Sequence, residues 1–99
     1  MYPTINLVVF DKLVLNPVYL IYETKLAVLL EINGKKEWIP KSLLYLVKDN
    51  DNNRVYGWIP DWKFKQAWGS IEKFNTKDFM MSDIPKEVKR KFRQMIAGE

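Results

Sequence analysis

Neither cysteine nor histidine occurs among the 99 residues. A disulfide framework is therefore impossible, and redox compartment makes no difference to the fold. Zinc, iron–sulfur and thiol chemistry lose their usual ligands, and the commonest general base near neutral pH is missing. The chain has no glycine-rich phosphate loop and no nucleophile elbow. No enzymatic activity, catalytic residue, metal or cofactor is expected. Long apolar runs are also lacking. Runs such as Ile5–Phe10 and Leu26–Leu30 fall far short of the roughly 20 residues needed to span a bilayer. Met1-Tyr2-Pro3-Thr4 has no basic region and no small-residue cleavage site follows, so an intracellular protein without membrane contact is expected.

What the chain does have is apolar bulk. Hydrophobic residues make up 47% and aromatics 14%, enough for one core without staples and too few residues for two. A single domain over residues 1–99 is expected. The net charge of +4 is mild; it permits contact with nucleic acid or an acidic protein and requires neither.

The most legible stretch is Glu23–Ser42. Asn33-Gly34 is a strong two-residue hairpin signal between apolar runs. It sets Ile32 opposite Lys35, Glu31 opposite Lys36, Leu30 opposite Glu37, Leu29 opposite Trp38 and Val28 opposite Ile39. Leu29, Glu31, Lys36 and Trp38 then share one face, with Val28, Leu30, Ile32 and Ile39 on the other. Glu31 and Lys36 offer a cross-strand charge pair. Pro40 cannot donate to a ladder, so the sheet bends or ends there.

Before the hairpin, Ile5–Phe10 reads as an interior strand, apolar on both faces. A turn at Asp11-Lys12 leads to Leu13–Leu15, Asn16-Pro17 breaks the chain, and Val18–Tyr22 resumes as strand. After it, Leu43–Val47 and Arg54–Ile59 form a second hairpin around the polar loop Asp49–Asn53. Gly57 inside a strand signals a bulge or a close approach. Trp38-Ile39-Pro40 and Trp58-Ile59-Pro60 repeat, predicting the same bend at two strand ends.

Past Pro60 the period becomes helical: Phe64, Ala67, Trp68 and Ile71, with Asp61 as cap and Gly69 as stop. A short helical turn capped by Asn75 or Thr76 is expected in Ser70–Met81. Pro85 opens a C-terminal amphipathic helix with Ile84, Val88, Phe92, Met95 and Ile96 on one face and Lys86, Lys89, Arg90 and Arg93 on the other. The fold class is α+β: a small, curved, mainly antiparallel sheet, with partial closure into a barrel left open, a helix after Pro60 and the C-terminal helix packed on it.

The hairpin resembles a small module encoded mainly by phages and related mobile elements. Its pattern runs Glu-Thr-x-Lys-Ala-x-Leu-x-Glu-Ile-Asp-Gly-x-Glu-x-Trp-Ile-Pro-Lys-Ser. The matching residues are Glu23, Thr24, Ala27, Leu29, Glu31, Ile32, Gly34, Trp38, Ile39, Pro40, Lys41 and Ser42, with Glu37 one place late against the last Glu of the pattern. Asn33 stands in place of the usual Asp, and Lys25 sits one place early. The whole chain is similar to small proteins of crenarchaeal filamentous viruses, the lipothrixvirus and rudivirus group. The resemblance implies a virus-encoded protein made in the host cytoplasm, with a hyperthermophilic host left open because seven asparagines sit awkwardly with heat. It carries no functional residues over.

Asp49-x-Asp51-x-Asn53 opens like a calcium loop, but Arg54 and Pro60 occupy the positions of the required glycine and bidentate glutamate. Glu31 and Glu37 fall on opposite faces, which argues against a carboxylate pair. Aromatic richness without catalytic residues points to a non-enzymatic protein that binds a host or viral protein. Trp62, Tyr45 and Tyr56 are the candidate contact residues, and an edge strand could support a homodimer. The alternative is nucleic-acid binding through Lys36, Lys41, Arg54, Lys86, Lys89, Arg90 and Arg93 with the sheet aromatics as stacking platforms.

Overall fold

A computed structural model describes residues 2–50, 52–79, 86 and 90. Its elements in chain order are β1 (Asn6–Val9), β2 (Lys12–Val14), β3 (Val18–Glu23), β4 (Ala27–Ile32), β5 (Lys35–Pro40), β6 (Tyr45–Asp49), β7 (Arg54–Ile59), α1 (Asp61–Trp68) and β8 (Thr76–Asp78). They build a mixed α+β fold with two sheets where the sequence suggested one. The larger sheet has the order β6-β7-β1-β2-β8 and the smaller β3-β4-β5. Every pairing is antiparallel except β1 with β7. The sheets do not close into a barrel.

One bent hairpin ties the sheets together. Val8 pairs with Leu13 in the larger sheet, while Thr4 pairs with Tyr19 at the edge of the smaller one. Between these points the register slips by two residues, and the slip falls at Leu15–Pro17, where proline disfavours continuation of the ladder. The Ile5 N–H donates to Val18 O at 3.0 Å and the Leu20 N–H to Pro3 O at 2.8 Å, so the segment before β1 belongs to both sheets. The turn lies at Phe10-Asp11, one residue earlier than the sequence suggested, because Val9 pairs with Lys12.

Inward-facing residues from both sheets form one core: Ile5, Leu7 and Val9 from the β1 segment, Val28, Leu30 and Ile32 from β4, Ile39 from β5 and Ile59 from β7. Helix α1 adds Phe64, Ala67 and Trp68. The β4–β5 register is the one the Asn33-Gly34 turn demands at every pair. Positive φ at both Asn33 (51°) and Gly34 (84°) makes it a type I′ turn. The ion pair in β5 is Lys35–Glu37 along the strand at 3.4 Å rather than the expected Glu31–Lys36 across it.

The two Trp-Ile-Pro segments do adopt one local geometry. In each, isoleucine is buried and proline stands before a helical turn with nearly equal dihedrals, φ −61° and ψ 138° at Pro40 against φ −62° and ψ 145° at Pro60. Pro40 leads into a 3₁₀ turn over Lys41–Leu43, which delays β6 to Tyr45. Pro60 takes the cap position of α1, so Asp61 sits in the first turn instead of capping it, still on the side the helix dipole favours for an anion. Gly69, at φ 100°, ends the helix as expected.

Beyond α1 the expectation of a turn capped by Asn75 or Thr76 is overturned. The 3₁₀ turn is Ile71–Lys73, capped by the Ser70 hydroxyl accepting from the Glu72 N–H. Thr76–Asp78 is the edge strand β8, fixed on β2. Asn75 instead donates its N–H to Asn16 Oδ1 at 2.8 Å. The expected C-terminal helix lies outside the described residues except for Lys86 and Arg90, which are helical and exposed.

Candidate interaction surface

The outer face of the smaller sheet is built by a bulge. β3 pairs regularly with β4 up to Leu20–Leu30, and then Tyr22 pairs with Leu29 and Glu23 with Val28. Ile21 is the extra residue. Strict alternation from Val18 and Leu20 would send Tyr22 inward; the inserted residue reverses the faces beyond it. Tyr22 thus reaches the outer face and Glu23 the inner one.

On that outer face Tyr22, Leu29 and Trp38 stand in a row across all three strands. The Tyr22 and Trp38 rings meet edge to face over Leu29, with centroids 6.3 Å apart and planes at 78°. They remain 61% and 49% exposed, and Leu26 in the adjoining turn is exposed as well. Edge-to-face contact fixes both rings without hiding them. Thr24 holds the neighbouring turn: its hydroxyl accepts from the Ala27 N–H at 3.0 Å and donates to Ala27 O at 3.1 Å.

A second exposed group lies at the end of the larger sheet where β1 and β7 finish side by side. Phe10 is 84% exposed and holds φ at 57°, an unusual value for a bulky residue. Trp62, in the first turn of α1, is 58% exposed. Of the three sequence candidates for protein contact, Trp62 alone is fully at the surface. Tyr45 is half-buried, and Tyr56 is buried on the outer side of the larger sheet, stacked on Trp58 at 6.0 Å with Phe79 against both rings. Tyr56 is therefore corrected from a contact residue to a packing residue: the parallel register with β1 sets it beside Asn6, away from open solvent.

The basic candidates do not gather. Lys36 lies on the outer face of the smaller sheet and Arg54 on the outer side of the larger, so they point away from each other across the core. Lys41, in the 3₁₀ turn, is held by Glu23 at 2.6 Å. Lys86 and Arg90 are exposed, one helical turn apart in sequence. Lys89 and Arg93 lie outside the described residues. Arg54 does line a polar cleft of about 420 Å³ with Asn6, Leu13, Tyr56, Lys77 and Phe79. Asn6 donates its side-chain amide to Val55 O at 3.3 Å there.

Asp49 is buried and accepts from the Asn52 side-chain amide at 2.8 Å, which turns its carboxylate into its own loop. No cluster of three or more metal-ligating carboxylates is found among the described residues. None of the described helices is long and apolar enough to cross a membrane. No protein-family model, curated protein or solved structure matches the chain.

Sequence reasoning missed Tyr22 and Phe10. Tyr22 needs the bulge at Ile21, which no glycine or proline marks. Phe10 needs the turn placed one residue earlier, and an aromatic at positive φ is a poor guess without the register.

Proposed function

We propose that the protein is a small non-enzymatic interaction protein that binds a host or viral protein through the outer face of its three-stranded sheet. The observation that carries this is the Tyr22–Trp38 contact over Leu29, a fixed aromatic row left in solvent. Tyr and Trp dominate binding hot spots, and rings already held in place lose little freedom on docking. Glu31 and Lys36 on the same face supply a polar margin of both signs. The likeness of the Glu23–Ser42 hairpin to a phage-type module supports a viral source, and Trp38 belongs to the matched residues.

The test is affinity capture from host extract, followed by titration of the captured protein against wild type, Trp38→Ser and Tyr22→Ser. A loss of about 2 kcal/mol or more for Trp38→Ser is the hot-spot signature. Capture that both substitutions leave unchanged sinks the proposal. Sedimentation of the free protein separates a heterologous partner from a homodimer.

A second reading, nucleic-acid binding, draws support from the polar cleft that Arg54 and Lys77 both line. It predicts affinity for single strands that falls steeply with salt. Retention that does not respond to salt removes it.

A further inference from the structure

The smaller sheet ends at β5, and the ladder identifies which of its main-chain groups face outward. Lys41 donates its N–H to Leu26 O at 2.8 Å, so this pair is hydrogen-bonded where the two chains meet. The Thr24 N–H donates to Ala27 O at 2.8 Å, so Ala27 turns its carbonyl to the β3 side instead. Antiparallel ladders alternate, and the β4–β5 register runs unbroken from Ala27–Pro40 to Ile32–Lys35. Ile39, Glu37 and Lys35 therefore bond to β4, while Pro40, Trp38 and Lys36 point their main-chain groups away from it. Pro40 fits this assignment, because its missing N–H breaks no rung of the sheet.

Among the described residues, the N–H and C=O groups of Lys36 and Trp38 have no hydrogen-bond partner beyond the sheet, and both residues are exposed. The other edges differ. β3 already bonds to Ile5 and Pro3 through Val18 and Leu20. β8 has three residues against six in β5, and in β6 both Tyr45 and Lys48 already have partners. The type I′ turn at Asn33-Gly34 sets the β5 edge before any partner arrives, which limits the ordering cost of pairing.

An unpaired edge is matched by an extended main chain, and the flanking side chains select its sequence. Lys36 and Trp38 share the outer face, and Lys36 makes no ion pair among the described residues. An acidic residue opposite Lys36 and an apolar one opposite Trp38 complement them. A second copy fits worse. Two-fold antiparallel pairing about Lys36 or about Glu37 sets like charges opposite each other. Pairing about Trp38 sets Lys36 against Pro40, which has no N–H to return.

We propose that the partner protein adds an extended segment to β5 as an antiparallel fourth strand of the smaller sheet. An apolar residue of that segment lies opposite Trp38, and an acidic residue two places later lies opposite Lys36. This rests on the reading of the outer face as a protein-binding surface and names what the partner brings to it. The apolar residue continues the row of Tyr22, Leu29 and Trp38 onto the added strand.

The experiment is titration of the isotope-labelled full chain with the end-capped peptide Ser-Thr-Val-Thr-Glu-Thr-Ser, followed by amide shifts and amide exchange. Saturable binding is expected, with shifts centred on the Lys36 and Trp38 amides and slower exchange at both. The peptide with Lys in place of Glu should bind about threefold or more weakly. N-methylation at Val, whose N–H faces β5, should abolish binding, while N-methylation at the central Thr, whose N–H faces away, should leave it. Lys36→Glu, checked for an intact amide spectrum, should reverse the preference between the acidic and basic peptides. Non-saturating binding, shifts centred elsewhere, equal effects of the two N-methyl groups, or an unreversed preference would overturn the proposal. So would a dimer of the free chain that slows exchange at Lys36 and Trp38, which would give the edge to a second copy. The peptides need no captured partner, so their failure beside a capture that depends on Trp38 removes strand addition and leaves binding by the face.

Discussion

The indole N–H of Trp68 donates to the main-chain carbonyl of Lys35 at 3.0 Å, so the last turn of α1 is tied to the first residue of β5. The same ring packs on Phe64 at 5.3 Å, which meets Phe74 edge to face at 5.1 Å. The helix is thereby held by one directed bond and one aromatic chain, and Trp68 belongs to both. Trp68→Phe removes the bond and some volume, with an expected loss of about 1–2 kcal/mol in denaturant unfolding. Trp68→Ala should cost about 3–5 kcal/mol.

Gly34 has open space where a Cβ would stand, yet its φ is 84°. The cost of a side chain there is conformational and not steric crowding by neighbours. Gly34→Ala should destabilise by about 1–2 kcal/mol, the usual penalty of left-handed backbone for an L-residue. Equilibrium unfolding should show a lower midpoint with an unchanged denaturant slope, since the same surface is exposed.

Lys12 on β2 is ion-paired with Asp78 on β8, and both side chains are substantially exposed. The hydrogen bond from Lys12, then its charge, holds the Asp78 carboxyl below its ordinary 3.8. The hydrogen bond to Asp78, then its charge, holds the Lys12 ammonium above its ordinary 10.5. The stabilisation from Asp78 is thus present above 3.8 and lost as pH falls through the depressed value. That from Lys12 is present below 10.5 and lost as pH rises through the raised value. The stability difference between wild type and Asp78→Asn should be flat between these limits and vanish in acid and in strong base. It should be small, because solvent and salt screen an exposed pair. Unfolding midpoints measured across pH at low salt will show it.

How far the fold could be read depended on whether a residue's position was marked locally. Asn33-Gly34 imposes its register on the hairpin, and every pair from Val28–Ile39 to Ile32–Lys35 follows from that turn. Phe64, Ala67 and Trp68 carry the helical period that places them in the core. β8 has no such mark: Thr76, Lys77 and Asp78 are polar, and they form a strand because the edge of β2 is free to pair. Burial of Tyr56 comes from its neighbours in a parallel pairing across some 50 residues, beyond any local pattern. The basic candidates read as one group along the chain because sequence does not say which sheet each face belongs to.

Tyr22 and Trp38 lie exposed on the outer face of the smaller sheet, outside the core, so removing them should spare the fold. Trp38→Ser and Tyr22→Ser are each expected to change stability by no more than about 1 kcal/mol, the scale of an aromatic pair at the surface. Thermal unfolding beside the binding titration checks it: a large loss of stability would assign the row to folding instead of recognition.

The extra residue in β3 gives Ile21 a leverage that its own side chain does not have. Deleting it would restore even alternation, returning Tyr22 to the side of Val18 and Leu20 and sending Glu23 outward. The aromatic row would lose one end and Lys41 would lose its carboxylate in the same step. Both surfaces would be rewritten by three nucleotides, with no residue on either one substituted. An insertion or deletion here therefore acts as a single genetic switch over two faces that share no side chain.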